Sequence, residues 1–397
     1  MSPIISLRET LEFARARTVR AVQCATCVFA MLSTRASAQG TLSGLGFGYP
    51  VGGTSIRTAG TAGAFAEFDV LSPVNPASLG GLQRAFITAQ TEPEFRTLQS
   101  GTRKERTTAE RVPLLMLAFP AAHGVGIAIS ASTFLDRSYS TITQGSVVVE
   151  GNTLTTVDKN DVRGSIGDLR AAIGWQANRY LRVGIAGHLF TGDNVVGRSR
   201  SFADSLAFGN VLDTSRVTYF GSALSLGGEL LIVKGLAALA SFRAGGSLES
   251  RIRDTVRSRG SVPNRVGLGL RYDGIPGSTF AIGIEQQSWS KMKGLGSSLV
   301  QARDGMNFHA GAEVAGPKMR GVPLQLRLGV AKNDLPFGVD GRTARETRFS
   351  GGFGVPVAAE RATLDFSLQR ANRSLSGGSG GAKESAWMLG VGMHIRP

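Results

Sequence analysis

Apolar residues alternate with small or polar ones through most of the chain beyond its first eighty residues, and few architectures accept that pattern. Val266, Leu268, Leu270 and Tyr272 interleave with Arg265, Gly267, Gly269 and Arg271. Leu324, Leu326, Leu328 and Val330 interleave with Gln325, Arg327, Gly329 and Ala331, and Trp387, Leu389, Val391, Met393 and Ile395 with Ala386, Met388, Gly390, Gly392 and His394. Successive strand residues point to opposite faces, so each stretch makes a strand with one apolar face. The pattern predicts fourteen strands, over 84–91, 112–119, 124–134, 164–176, 181–191, 217–232, 236–248, 262–272, 279–289, 307–315, 323–332, 346–356, 362–371 and 384–395. Many reach the roughly 9–11 residues of a tilted membrane strand, against about 5–6 in soluble sheets. Gaps of three to seven residues alternate with gaps of twelve to twenty-nine. Short turns on one side, long loops on the other and an even strand count mark a transmembrane barrel. The 135–163 gap is long enough to hold a further hairpin.

The N-terminus carries an export pattern. Arg8, Arg15, Arg17 and Arg20 precede a short apolar stretch, Ala21 to Leu32, and the small-residue exit Ala36-Ser37-Ala38. That order predicts a signal peptide over 1–38, removed after Sec-dependent export. Both cysteines, Cys24 and Cys27, fall within it, so no disulfide is expected in the remainder. No apolar run approaches the length of about 18 residues that marks a spanning helix. An exported membrane protein then crosses as a closed barrel, where every backbone group is paired between strands. The expected fold class is all-β: a transmembrane antiparallel β-barrel of about fourteen strands, over 84–397, with an N-terminal hatch or plug over 39–83.

The chain is basic, with a formal charge of +15. Its Lys and Arg are dispersed apart from a cluster at Arg251, Arg253, Arg257 and Arg259, and no helix or nucleic-acid motif gathers them. The expected partners are membrane lipids and lipopolysaccharide phosphates, not nucleic acid; a solvated basic loop is the alternative for the cluster. Gly44, Gly46 and Gly48 and the glycine-rich stretch Gly377–Lys383 lie between no strand and helix, so no nucleotide cofactor is expected. No His, Cys or acidic spacing suggests a metal.

Residues 60–79, GTAGAFAEFDVLSPVNPASL, pair a Gly/Ala-rich run and acidic residues with Asn75-Pro76-Ala77-Ser78-Leu79. Asn75 before Pro76 favours a turn start. This stretch resembles the N-terminal signature of the long-chain fatty-acid transporter (FadL-type) family of outer-membrane proteins. The resemblance implies a fourteen-stranded barrel in the cell outer membrane, closed by a hatch that Phe65, Phe68, Asn75, Pro76 and Ala77 shape, and uptake of small hydrophobic or amphipathic, fatty-acid-like compounds. A related branch serves as scaffold or shuttle barrels for secreted proteins, which gives the alternative function. The chain departs from the family in ending His394-Ile395-Arg396-Pro397 without a terminal aromatic, with Ile395 as the expected last lipid-facing residue, and its outer loops lack long apolar stretches.

Arg170, Arg182, Arg265, Arg271, Glu285, Glu313, Arg327 and Asp365 fall on lumen-facing phases. They form either a polar route with a carboxylate site or structural ion pairs that fill the barrel. His188 and His309 share that phase, but no sequence feature sets a serine beside either, so no enzymatic activity is expected.

Overall fold

The computed structural model describes residues 48–100, 103–149, 152–202, 209–295, 302–319, 321–339, 342–357, 361–374 and 383–396. The expected signal peptide and the first part of the expected hatch lie outside these residues. Within them nineteen strands form one antiparallel sheet, and the first, β1 (Tyr49–Pro50), belongs to the interior segment.

The wall starts with β2 (Phe86–Thr91), continued by β3 (Glu94–Ser100), and then β4 (Arg103–Ala109), continued by β5 (Leu114–Ala122). β6 (Val125–Asp136) is continued by β7 (Tyr139–Val149), and β8 (Asn152–Gln176), β9 (Leu181–Phe202), β10 (Val211–Val233) and β11 (Leu236–Ile252) follow. β12 (Thr255–Ser261) is continued by β13 (Arg265–Tyr272). β14 (Ser278–Gln287), β15 (Gly305–Met319), β16 (Val322–Val339), β17 (Arg342–Val357), β18 (Ala362–Ser374) and β19 (Lys383–Ile395) complete the wall. Counting continued strands once, fourteen wall strands remain, as the alternation predicts. β19 pairs with β2 and β3, from Ile395–Ile87 to Lys383–Gln99, and closes the ring.

The strands are longer than expected at the long-loop end. The 135–163 gap is a hairpin extension, with β7 paired to the first half of β8 from Tyr139–Val162 to Val149–Asn152. The 92–111 gap is another, with β3 on β4. Neither hairpin sequence keeps a consistent apolar phase, so alternation gives no signal there while backbone pairing continues.

Outward side chains form an apolar belt. One row crosses the wall from Phe119 through Ile127, Ile173, Ile185, Leu226 and Phe242 to Val266. Trp175, Tyr180 and Tyr272, near the short turns, are exposed, where amphipathic rings favour a membrane boundary. Ile395 is outward at 38% exposure. Leu328 is 71% exposed at mid-wall, between Ala312 and Gly351. Leu328→Arg is therefore expected to destabilise the barrel in lipid vesicles by about 2–4 kcal/mol, read from urea unfolding. An unchanged midpoint would place this face in water.

Candidate functional site

The lumen holds the chain from Tyr49 to Leu82. Its helix α1 (Ile56–Gly60) is capped by Ser55, whose hydroxyl accepts from Thr58 N at 3.0 Å. The buried Asp69 carboxylate accepts from the hydroxyls of Ser55, Thr58 (3.1 Å) and Ser72 (3.2 Å) and from Leu71 N (3.4 Å). Arg57 pairs with it at 3.3 Å. This knot gives a segment without an apolar core of its own a fixed shape. Phe65 is fully buried, its ring centroid 4.6 Å from that of Phe68, beside Ala281 of β14.

Asn75 starts the 3₁₀ turn Pro76–Gly81 and ties it to the wall. Its Oδ1 accepts from Ala77 N at 3.0 Å, and its Nδ2 donates to Gly228 O (3.3 Å) and Ala240 O (3.4 Å). Pro76 at the first position lacks the N–H that a helix start leaves unpaired. Ala77 is fully buried where the turn meets β8, β9 and β10. Gly184 of β9 makes this approach possible: a Cβ there would lie 2.6 Å from Ala77 N and closer to the Pro76 carbonyl. Gly329 of β16 does the same for the residues that follow α1: a Cβ there would lie 2.7 Å from Ala62 N and closer to the Thr61 carbonyl.

Of the lumen-facing charges, Arg182, Arg265, Arg271, Glu285, Glu313, Arg327 and Asp365 fall into ion-pair networks. Arg57 joins Glu313 at 2.6 Å, Glu313 accepts from Arg327 at 2.6 Å, and Arg327 reaches Asp365 at 2.6 Å. Arg265 lies between Glu67 of the interior segment (2.6 Å) and Glu285 (2.5 Å). Nearer the short turns, Glu229 accepts from Arg182 (3.1 Å) and Arg271 (3.0 Å), and the Arg271 guanidinium lies 5.2 Å from the Phe68 centroid. Sequence pattern does not single out Glu67 or Glu229 as partners, although Glu229 carries one signal, the inward phase of its strand. Towards the long hairpins, Arg373 bridges Glu94 (2.7 Å), Glu384 (2.6 Å) and Glu346 (2.7 Å). Tyr49 donates to Glu384 at 2.7 Å, its ring flanked by Arg96 and Arg373 at 4.4 and 4.3 Å. The basic cluster lies about the β11–β12 hairpin, where Arg251 and Arg259 both bridge Glu249 at 3.1 Å.

The fold sets a serine beside His188: Ser225 Oγ lies 2.7 Å from His188 Nε2. Asp168 contacts the other ring nitrogen at 2.9 Å. Register brings these residues together from three strands, which sequence spacing does not reveal. They border an internal cavity of about 190 Å³, together with Arg170, Arg243 and Phe134. No group of His, Cys, Asp and Glu among the described residues is arranged to hold a metal.

Among the described residues, the wall changes partner at β6. The β5–β6 ladder ends at Leu114–Ser132, while β6 continues to Asp136 on its β8 side. Its vacated edge takes β1 from the interior, with Tyr49 opposite Asp136, Pro50 opposite Leu135, and Val51 N donating to Phe134 O at 3.2 Å. The wall between β5 and β6 is thus completed by the N-terminal segment, which contributes the short strand Tyr49–Pro50. An edge with unpaired N–H and C=O groups accepts such a strand readily.

No family model and no curated protein matches the chain by sequence. Solved structures do match. A Pseudomonas aeruginosa FadL homologue aligns over 88% of this chain and 99% of its own, at 11% identity and a TM-score of 0.63. The Pseudomonas putida toluene transporter TodX aligns over 89% and 99%, at 10% identity and a TM-score of 0.57. The CymD monoaromatic hydrocarbon channel aligns over 88% and 98%, at 14% identity and a TM-score of 0.55. The architecture of this chain is therefore that of the FadL-type barrels, over nearly the whole of their length.

Proposed function

We propose that the chain is an outer-membrane channel for uptake of small hydrophobic or amphipathic compounds, with the segment up to Leu82 as its hatch. The observation that carries this reading is the strand exchange at β6. A removable segment of the chain itself, β1, completes the wall where the β5–β6 ladder stops. Tyr49, Pro50 and Val51 also line the internal cavity. Withdrawal of β1 opens that cavity towards the bilayer, so an apolar solute leaves sideways into lipid and avoids the short-turn end, where the Asn75–Gly81 turn packs on the wall. The hatch–wall ion pairs at Arg57–Glu313 and Glu67–Arg265 hold the closed state. The proteins of like fold that are described as toluene transporters and a monoaromatic hydrocarbon channel support this substrate class. On this reading the export pattern delivers the chain to the outer membrane, and the Arg251–Arg259 hairpin meets lipopolysaccharide phosphates.

A crosslink tests it. Pro50 and Leu135 are cross-strand partners, within reach of a disulfide, which needs about 4.4–6.8 Å between Cα atoms. The only native cysteines, Cys24 and Cys27, precede the hatch. In a Pro50→Cys/Leu135→Cys variant, oxidation is expected to lower toluene uptake into cells at least tenfold, and reductant to restore it. Undiminished uptake with β1 locked in place would exclude this route.

A further inference from the structure

Asp168, His188 and Ser225 lie on one diagonal of the lumen face of β8, β9 and β10. His188 is opposite Arg170 on β8 and Ala223 on β10; Asp168 and Ser225 are each two residues further, in opposite directions along β9. The imidazole spans the diagonal. Both Asp168 oxygens lie within 3.0 Å of Nδ1, and the Ser225 hydroxyl lies 2.7 Å from Nε2. All three residues are buried. A carboxylate at Nδ1 fixes the proton there and leaves the Nε2 lone pair facing the hydroxyl, the arrangement that activates a serine nucleophile.

A second observation is independent of the triad. The cross-strand neighbour of His188 is Arg170, and that of Ser225 is Arg243. Both border the same cavity. Arg170 is 4% exposed, yet its Nε and Nη1 have no hydrogen-bond partner, nor does Arg243 Nε. The lumen arginines Arg57, Arg265, Arg327 and Arg373 are all paired with carboxylates. Buried guanidinium donors without an acceptor are costly, and these two adjoin the Ser225–His188 pair. They are placed to meet negative charge that develops beside Ser225. Next to them Phe134 stacks with Trp289 at 5.5 Å and meets Phe190 edge-on at 4.9 Å, an aromatic wall for an apolar group.

We propose that this cavity is a hydrolytic site for small carboxylic esters that enter the barrel. Ser225 Oγ attacks the ester carbonyl carbon while its proton passes to His188 Nε2. The carbonyl oxygen takes the displaced electron pair, facing Arg243. As the carbonyl re-forms, the C–O bond to the alcohol breaks and His188 returns the proton to the leaving oxygen. Water then attacks the acyl-serine with His188 again as base, releases the carboxylic acid and restores the Ser225 hydroxyl. Asp168 is a positioning residue. The activity does not depend on the transport reading, since it requires only the folded barrel.

The test uses the full mature chain, folded in detergent, and a small dialkyl fluorophosphate, which phosphorylates an activated serine with loss of fluoride. The expected result is one adduct per chain, located at Ser225 by peptide mass, and none after boiling. Hydrolysis of p-nitrophenyl acetate is expected to fall about 10³-fold or more in Ser225→Ala and His188→Ala. Asp168→Asn should slow labelling at Ser225, with part of the rate recovered in Asp168→Glu. Folding of each variant is read from its gel mobility before boiling. A folded wild-type barrel without an adduct at Ser225, or a folded Ser225→Ala barrel that hydrolyses the ester as fast as wild type, would overturn the proposal.

Discussion

Arg373→Ala is expected to lower the stability of the folded barrel by about 3 kcal/mol, at the lower end of the range for breaking a buried pair. The Arg373 side chain is 2% exposed and links strands that lie far apart in sequence, with Glu94 on β3, Glu346 on β17 and Glu384 on β19 as acceptors. Truncation leaves three carboxylates in the lumen with fewer donors. Some compensation remains, which sets the lower end: Glu94 keeps Arg96 and Arg111, Glu346 keeps Arg348, and Glu384 keeps the Tyr49 hydroxyl. The Tyr49 ring also loses one of its two flanking guanidiniums, so β1 should detach more readily than the wall unfolds. Urea titration of vesicle-inserted protein measures the first effect, and protease cleavage near Tyr49 the second. A loss below about 1 kcal/mol would mean that water already solvates these carboxylates, as at an exposed pair.

Gly184→Val is expected to leave the wall intact and dislodge the interior segment. Gly184 is part of β9, where a β-branched residue suits the strand, but its lumen side carries the start of the Pro76–Gly81 turn. A Cβ at 184 would overlap the Pro76 carbonyl and Ala77 N. These are backbone atoms, so no rotamer change relieves the clash. The turn must move away, and Asn75 loses its bonds to Gly228 and Ala240. Conductance of small ions in planar bilayers should rise at least tenfold. Gly187→Val is the control: it lies three residues along the same strand, and an added Cβ there meets nothing within 4 Å. Equal conductance in the two variants would show that the turn does not seal the lumen.

The wall was legible in the sequence for a local reason. Strand periodicity is two whatever the partner strand, so Val266–Tyr272 or Trp387–Ile395 declares its lipid face without reference to the rest of the chain. The lumen phase follows from the same parity, which sets Arg265, Arg327 and Asp365 inward without reference to their partners. Parity gives nothing where a strand lacks a consistent apolar phase. The β7–β8 hairpin at Tyr139–Val162 is such a place: it is paired throughout, yet it leaves no alternation to read.

The Asn75-Pro76 turn was visible in the residues that form it, but its seat on the wall was not, because the glycines that admit it are remote in sequence and differ in no local way from other strand glycines. The sequence by itself therefore determined the sheet, its strand count, its two faces and the position of the interior segment ahead of the wall. Tertiary structure alone decided what those faces bring together. The meeting of Asp168, His188 and Ser225, the pairing of Glu67 with Arg265 and the entry of Tyr49–Pro50 beside β6 all depend on register and ring closure. Register is set by the sum of cross-strand contacts around the whole barrel, and no single segment encodes it.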